Sequence, residues 1–445
     1  MFFPRGGSAH VARALAEELP AHGWDVTILS GSLGGGGVGD AERFYAGLDV
    51  HAVDFSAGDA PMHPSFEDRP GAPDPVFAAL DDAEYERHVA AWAAALDAAG
   101  AADYDVLHLH HLTPLHEAAA RVAPDVPVVA HLHGTELLML ERIAAGAPAS
   151  WAHAEAWAAR MRRWAARARR LVLLSPSQIG RVETLLGLGA ERCVVCPNGF
   201  DPERFAPREV DRIPHWREHL VAHPRGWRPG EAEGSLRYTE AELAPLARGP
   251  VLLSVGRFTE VKRLPLLVRA FARAQDDASV RASLVLLGGH PGEWEGEHPY
   301  DAVRTSGARD VFLTGWHEHD TLPDFLNAAD ATVLASVREQ FGLVLVEGMA
   351  CARPAIAVDA FGPAEIVEDG RTGWLVAPDD EPALAAALVE CIDDAAERER
   401  RGTLARETAL ERWSWPALAD RLGKVLTEAA GVAPRPAGAA PAPPG

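Results

Sequence analysis

Short apolar runs alternate along this chain with longer stretches whose apolar positions recur at helical spacing, almost from end to end. Strands covered on both faces read as continuous apolar runs, and the helices covering them carry a one-sided apolar stripe. The alternation therefore predicts βαβ units and parallel sheets. In the first half the strand-like runs are WDVTILS (24–30), YDVLHLH (104–110), VPVVAHLH (126–133), LVLLS (171–175) and CVVCP (193–197). Helical patterns fill the gaps, as in VARALAEELPAHG (11–23), where Gly23 is placed for a left-handed C-cap. A second series follows with GPVLLSVG (249–256), ASLVLLGG (282–289), DVFLTG (310–315), ATVLAS (331–336) and RPAIAVD (353–359). The expected fold is α/β, with two doubly wound parallel-sheet domains over 1–205 and 249–411 and ligand sites at the carboxyl ends of their strands.

Between the two series, 206–248 is irregular, rich in proline and tryptophan, and reads as a linker or insertion. RWSWPALADRLGKVLTEAA (412–430) reads as an amphipathic helix with Pro416 near its first turn, and the Pro/Ala/Gly-rich 431–445 as a disordered tail. Only Met1, Phe2 and Phe3 precede the turn PRGGSAH, too few for the central strand that opens such a domain, so the natural start is expected a few residues upstream.

A chain of 445 residues suggests two or three domains, and 48% hydrophobic with 24% charged residues fits a soluble globular protein. There is no apolar run long enough for a membrane span and no secretory leader at the start. A formal charge of −22 argues against nucleic acid or anionic lipid as a general partner. Four cysteines are too few for a disulfide scaffold and fit a reducing, cytoplasmic setting. CVVC (193–196) has redox spacing, but the two thiols of a strand point to opposite faces, which favours core packing. The basic helix RMRRWAARARR (160–170) reads first as a solvated face; weak peripheral contact with the inner membrane face is the alternative.

Several constellations carry candidate chemistry. In PRGGSAHVARALAEEL (4–19), Gly6 and Gly7 let the backbone approach a ligand at a helix amino terminus, without a full dinucleotide fingerprint. In SVGRFTEVKRLPLL (254–267), Arg257 and Lys262 follow a strand end where the next helix begins, a place suited to a diphosphate. The chain holds 42 basic residues of which only Lys262 and Lys424 are lysines, so a lysine kept here points to a need for a compact ammonium. In REQFGLVLVEGMA (338–350), Glu339 is expected in the loop after a strand, and the N–H groups of Phe341, Gly342, Leu343 and Val344 at the amino terminus of the next helix. Glu347, among packing residues, needs a bonded partner, either the cis-diol of a ribose or a buried arginine. The histidines of HLHH (108–111) and HLHGTE (131–136) make zinc conceivable, but no carboxylate or cysteine is placed to complete a site, so no metal is expected; His133 sits at the loop. Asp103 and Asp105 have metal-clamp spacing but open a strand and read as solvated.

Together GGSAH, HLHGTE, CPNGFDPERF, SVGRFTEVKR and EQFGLVLVEGMACARPAIAVDAFGPAEIVEDGRTGWLV resemble glycosyltransferase family 4, in the family's order, from residue 1 to about 430. The resemblance implies a GT-B fold of two Rossmann-like domains facing a cleft, an amino-terminal acceptor domain to which the 412–430 helix crosses back, and a carboxyl-terminal donor domain. It implies transfer of a hexosyl group from a nucleotide-diphosphate sugar to an acceptor hydroxyl with retention. Arg257 and Lys262 would hold the diphosphate, Glu347 the ribose and Glu339 the sugar. Phe341 to Val344 would offer N–H groups to sugar and phosphates, Gly7 would approach the diphosphate, His133 would contact the sugar, and Trp316 would meet the base. No metal or other cofactor is implied. A nucleotide-sugar epimerase and a non-catalytic nucleotide-sugar binder are the alternative readings.

Overall fold

The computed structural model describes residues 7–35, 39–55, 63–66, 74–339 and 341–432. Gly6, the opening residues Met1–Phe3 and 433–445 of the expected tail lie outside the described residues. The chain divides into two units, one made of Met1–Asn198 with Trp415–Gly445 and the other of Gly199–Ser414.

In the first unit β1 (Thr27–Ser32) and β2 (Asp49–Asp54) form a parallel pair. The strands β3 (Leu107–His110), β4 (Val128–His131), β5 (Arg170–Leu173) and β6 (Cys193–Val195) form a four-stranded parallel sheet in that order. One sheet face packs on Trp92, Trp157 and Trp164 from the helices Asp82–Ala98 and Ala154–Arg167. The other packs on Val11 and Leu15 of the helix Gly7–Glu18 and on Leu418 and Leu422 of the helix Trp415–Ala430. The CVVC strand shows the sidedness of a pleat, with Cys193 against the first cluster and Cys196 inside the second. Gly23, at φ 84°, caps the turn after the first helix as its position predicts.

The second unit is one six-stranded parallel sheet, with β7 (Val251–Val255), β8 (Ser283–Leu287), β9 (Val311–Gly315), β10 (Ala331–Leu334), β11 (Ala355–Val358) and β12 (Gly373–Val376) in the order β12-β11-β10-β7-β8-β9. Sequence order therefore runs outward from β7 on one side and from β10 on the other. Those two neighbours bracket the topological switch point of a doubly wound sheet.

Two expectations are corrected. The segment 206–248 is not a linker: the second unit begins at Gly199, and Trp216 and Trp227 of this segment are buried in it. Trp227 donates its indole N–H to Gly289 O at 3.2 Å, and Tyr238 accepts from Leu313 N–H at 2.9 Å. The helix expected over 412–430 starts at Trp415, because Arg412 and Trp413 finish the preceding helix Ala395–Trp413. The basic helix near 160–170 keeps the solvated face expected of it: Arg162, Arg163 and Arg167 are exposed, while Trp164 is 1% exposed and faces the core. Arg160 is likewise held, by Asp82 at 2.5 Å and over the Tyr85 ring. Among the described residues no helix is long and apolar enough to cross a membrane.

Candidate active site

Most of the expected site residues stand at the carboxyl ends of the second unit's strands. β7 ends at Val255; Gly256 turns, and Arg257 follows in the open. A short turn, Glu260–Lys262, then leads into the helix Leu264–Asp277. Lys262 folds back so that its aliphatic carbons cover Gly256: a Cβ there would come within 3.3 Å of Lys262 Cε. Beyond β10 the loop carries Glu339, and Val337 N–H bonds Val261 O at 3.0 Å, tying the loops after β7 and β10 together. The tie brings Lys262 Nζ and the Glu339 carboxylate into an ion pair. Arg257 has no carboxylate partner among the described residues, which leaves its guanidinium as a solvent-facing cation at the switch point.

The helix after β10 runs Leu343–Ala350, two residues later than the sequence pattern suggests. Gly342 precedes it at φ 96°, a left-handed conformation that a side chain would strain, and no side chain caps the first turn. The amide of Leu345 is already taken by Gly342 O, so the amides of Leu343 and Val344 carry the terminus's open donor capacity. Phe341 is buried with its backbone pressed against Gly362, and Gly362 N–H bonds Glu339 O at 3.1 Å. The loop that presents Glu339 is thereby fixed from both sides.

Glu347 is 3% exposed. The partner its burial demands is neither an arginine nor, within the chain, a second hydroxyl: His319 Nε2 lies 2.5 Å from Glu347 Oε1. His319 was not among the residues singled out from sequence. Its turn follows β9, far from Glu347 in the chain, and nothing local separates it from 18 other histidines. The same loop carries Trp316, which is 39% exposed, with the His290 ring 4.9 Å from it at 30°. Arg225 donates to Trp316 O at 3.2 Å, so the 206–248 segment borders this edge directly. Gly288, at φ 126°, passes so close to Gly256 O that no Cβ fits between them.

The other two described candidates belong to the first unit. Gly7 opens the helix Gly7–Glu18 and is exposed, with open space where a Cβ would stand. His133 lies just past β4, its Nε2 2.9 Å from His110 Nδ1. His108 and His131 pair in the same way at 3.3 Å. Burial, with neighbouring histidines adding to it, pushes His110, His131 and His133 well below the usual imidazole range, and burial holds His108 down to about 4. Three of the rings, His108, His110 and His131, bring ligand atoms within 4.8 Å of one another. Neutral imidazoles paired N–H to N account for most of this cluster without an ion. Alongside it, His111 bridges Ser8 Oγ at 3.0 Å and Glu136 Oε1 at 2.5 Å, a buried relay that no sequence motif announced. Asp103 and Asp105 are exposed, as their solvated reading requires.

The model of the family described as Glycosyltransferase Family 4 matches residues 5–204, and that of Glycosyl transferases group 1 matches 249–394. The chain is 29% identical over 234 residues to the alpha-D-kanosaminyltransferase of Streptomyces kanamyceticus, covering 51% of this chain and 58% of that one. It is 28% identical over 329 residues to the glycogen synthase of Mycobacterium tuberculosis, covering 73% and 69%. The chain thus spans little more than half of the first relative's length. The crystal structure of Anabaena Alr3699/HepE in complex with UDP and glucose superposes with a TM-score of 0.64 over 96% of this chain and 98% of that one, at 19% identity, which establishes likeness of fold. Both halves are matched in order by glycosyltransferase models, and with two Rossmann-like units of parallel sheet the chain has the GT-B fold and is similar to glycosyltransferase family 4.

Proposed function

We propose that the protein is a retaining glycosyltransferase that moves a hexosyl group from a nucleotide-diphosphate sugar to an acceptor hydroxyl. The observation that carries this reading is the convergence of Arg257, Lys262, Glu339, Glu347 and the open amides of Leu343 and Val344 on the switch point of one sheet. A departing nucleoside diphosphate gains negative charge. Two cations and a helix amino terminus stabilise that charge where it develops, which is the largest single contribution such a site can make. Kanosaminyl transfer and glycogen synthesis in the named relatives, and UDP with glucose in the structural neighbour, support a nucleotide sugar as the donor class.

In this reading Arg257 and Lys262 bind the diphosphate, Glu347 binds ribose, Glu339 and His133 bind the transferred sugar, and Gly6, Gly7 and Phe341 to Val344 bring backbone close to the donor. Trp316 with His290 offers an aromatic surface to the base. The acceptor hydroxyl attacks the face that the diphosphate leaves, and the leaving oxygen takes the acceptor's proton, so no carboxylate nucleophile is needed. The charge stabilisation comes from side chains and amides, so transfer is expected to survive EDTA; complete loss of activity on chelation would point instead to a metal, with His108, His110 and His131 as its candidate ligands.

A thermal-shift panel of UDP-, GDP- and ADP-sugars tests the donor class, because a ligand at 100 times its dissociation constant raises stability by about 2.7 kcal/mol. A clear rise with at least one of them is expected. No rise with any nucleotide sugar at millimolar concentration contradicts the reading.

A further inference from the structure

We propose that His319 is a positioning residue that fixes the Glu347 carboxylate so that its second oxygen reads the diol of a ribonucleoside diphosphate. The proposal rests on the ribose reading of Glu347 and adds what makes that reading selective. A carboxylate has about four lone-pair directions to satisfy when buried. At Glu347 the Nε2 of His319 serves Oε1 at 2.5 Å, and no described residue donates to Oε2. Glu347 Oε2 is not among the fully buried atoms that lack a partner, so it keeps an opening through which a ligand hydroxyl can reach it, and a hydrogen bond to a charged acceptor is stronger than one to a neutral acceptor. With Oε1 tied, the plane of the carboxylate and the direction of Oε2 are both set before any ligand arrives, which is how a supporting side chain turns a binding group into a selective one.

His319 is itself held in place. It begins the turn His319–Thr321, its ring lies 5.4 Å from that of buried Phe205, and the next residue, Asp320, is paired with Arg204 at 2.5 Å. The loop also carries Trp316, three residues earlier, so the aromatic surface for the base and the support for the ribose carboxylate share one short segment. All of these groups lie in the second unit. A shift of this loop would therefore change base and ribose recognition together.

The test compares dissociation constants for UDP and 2′,3′-dideoxy-UDP by calorimetry, on wild type, His319→Ala and His319→Gln, with the GDP or ADP pair used if that nucleotide is the one that binds. Wild type is expected to favour the diol by at least ~10-fold, the worth of a hydrogen bond to a buried charged group. His319→Ala should bring that ratio below about 3-fold, and His319→Gln, which keeps an N–H of similar reach, should restore most of it. His319→Phe keeps the ring contact with Phe205 and lacks the donor; it replaces the alanine variant if that one does not fold, with the same expected loss. A purely structural role would weaken both ligands equally and leave the ratio unchanged. An undiminished ratio in His319→Ala or His319→Phe overturns the proposal while leaving the ribose reading intact. A ratio near one in wild type overturns the ribose reading, and this proposal with it.

Discussion

At the scale of single residues, the ion pair between Lys262 and Glu339 is the feature with most bearing on function. The only lysine of the second unit meets the charge that transfer requires with a carboxylate already in place, and each is about one-fifth exposed. A diphosphate has to displace or share that ammonium, and it brings more negative charge than Glu339 does. Lys262→Ala is therefore expected to lower kcat by at least ~100-fold, since an electrostatic stabiliser of the transition state typically contributes 10²–10³. Unchanged turnover in a folded variant would remove Lys262 from the chemistry. Glu339→Gln separates the partners: it frees Lys262, so nucleoside diphosphate affinity should hold or rise while transfer falls. Calorimetry beside a turnover assay checks this, and weakened diphosphate binding would count against the pairing having this role. The sequence displayed the residue types, because a lysine among forty arginines and a glutamate inside an apolar run are conspicuous. It did not display the pairings, which join residues 77 and 28 positions apart and depend on how loops from three strands fold over one edge.

At the scale of elements, the readable strands were those with a near-continuous apolar run, whether central like β8 or at an edge like β9. β7, β8, β10 and β11 are covered on both faces and give near-continuous apolar runs, interrupted by Ser254 in β7 and Thr332 in β10. β2 was missed because its DVHAVD pattern is half polar and stays partly exposed, and β12 because it is four residues long and opens on glycine. The 206–248 segment was misjudged for a different reason. Its prolines interrupt the helical period, yet Trp216, on the short helix Arg212–Arg217, packs on the Phe325 ring at 5.8 Å and Trp227 on the Phe258 ring at 5.6 Å. The glycines at the strand ends carry more constraint than their flexibility suggests. Gly288→Ala would place a methyl group against Gly256 O in a left-handed conformation and should cost about 2 kcal/mol or more. The denaturant midpoint measures this, and a neutral result would show that the β7 and β8 loops do not pack as described.

At the scale of the whole molecule, burial of neutral histidine sets a pH limit. His88, His108 and His116 of the first unit and His215, His298 and His317 of the second are each held down to about 4, burial being the main cause. An unfolded chain takes up these protons near pH 6.5 while the folded one refuses them, so the unfolded state binds more protons below that pH. Stability should be flat above about pH 6.5 and fall progressively toward pH 4, and the melting temperature between pH 7 and 5 should drop by several degrees. A melting temperature constant across that range would mean the histidines are not buried as neutral groups.

The most direct measurement of the central claim is release of nucleoside diphosphate from the nucleotide sugar that stabilises the protein, followed over a panel of hydroxyl acceptors in wild type and in Lys262→Ala. Wild type is expected to release the diphosphate in an acceptor-dependent way and the variant at least ~100-fold more slowly. Binding of the sugar nucleotide with no release for any acceptor, or release at equal rates in both proteins, would contradict the assignment of this switch-point cluster to glycosyl transfer.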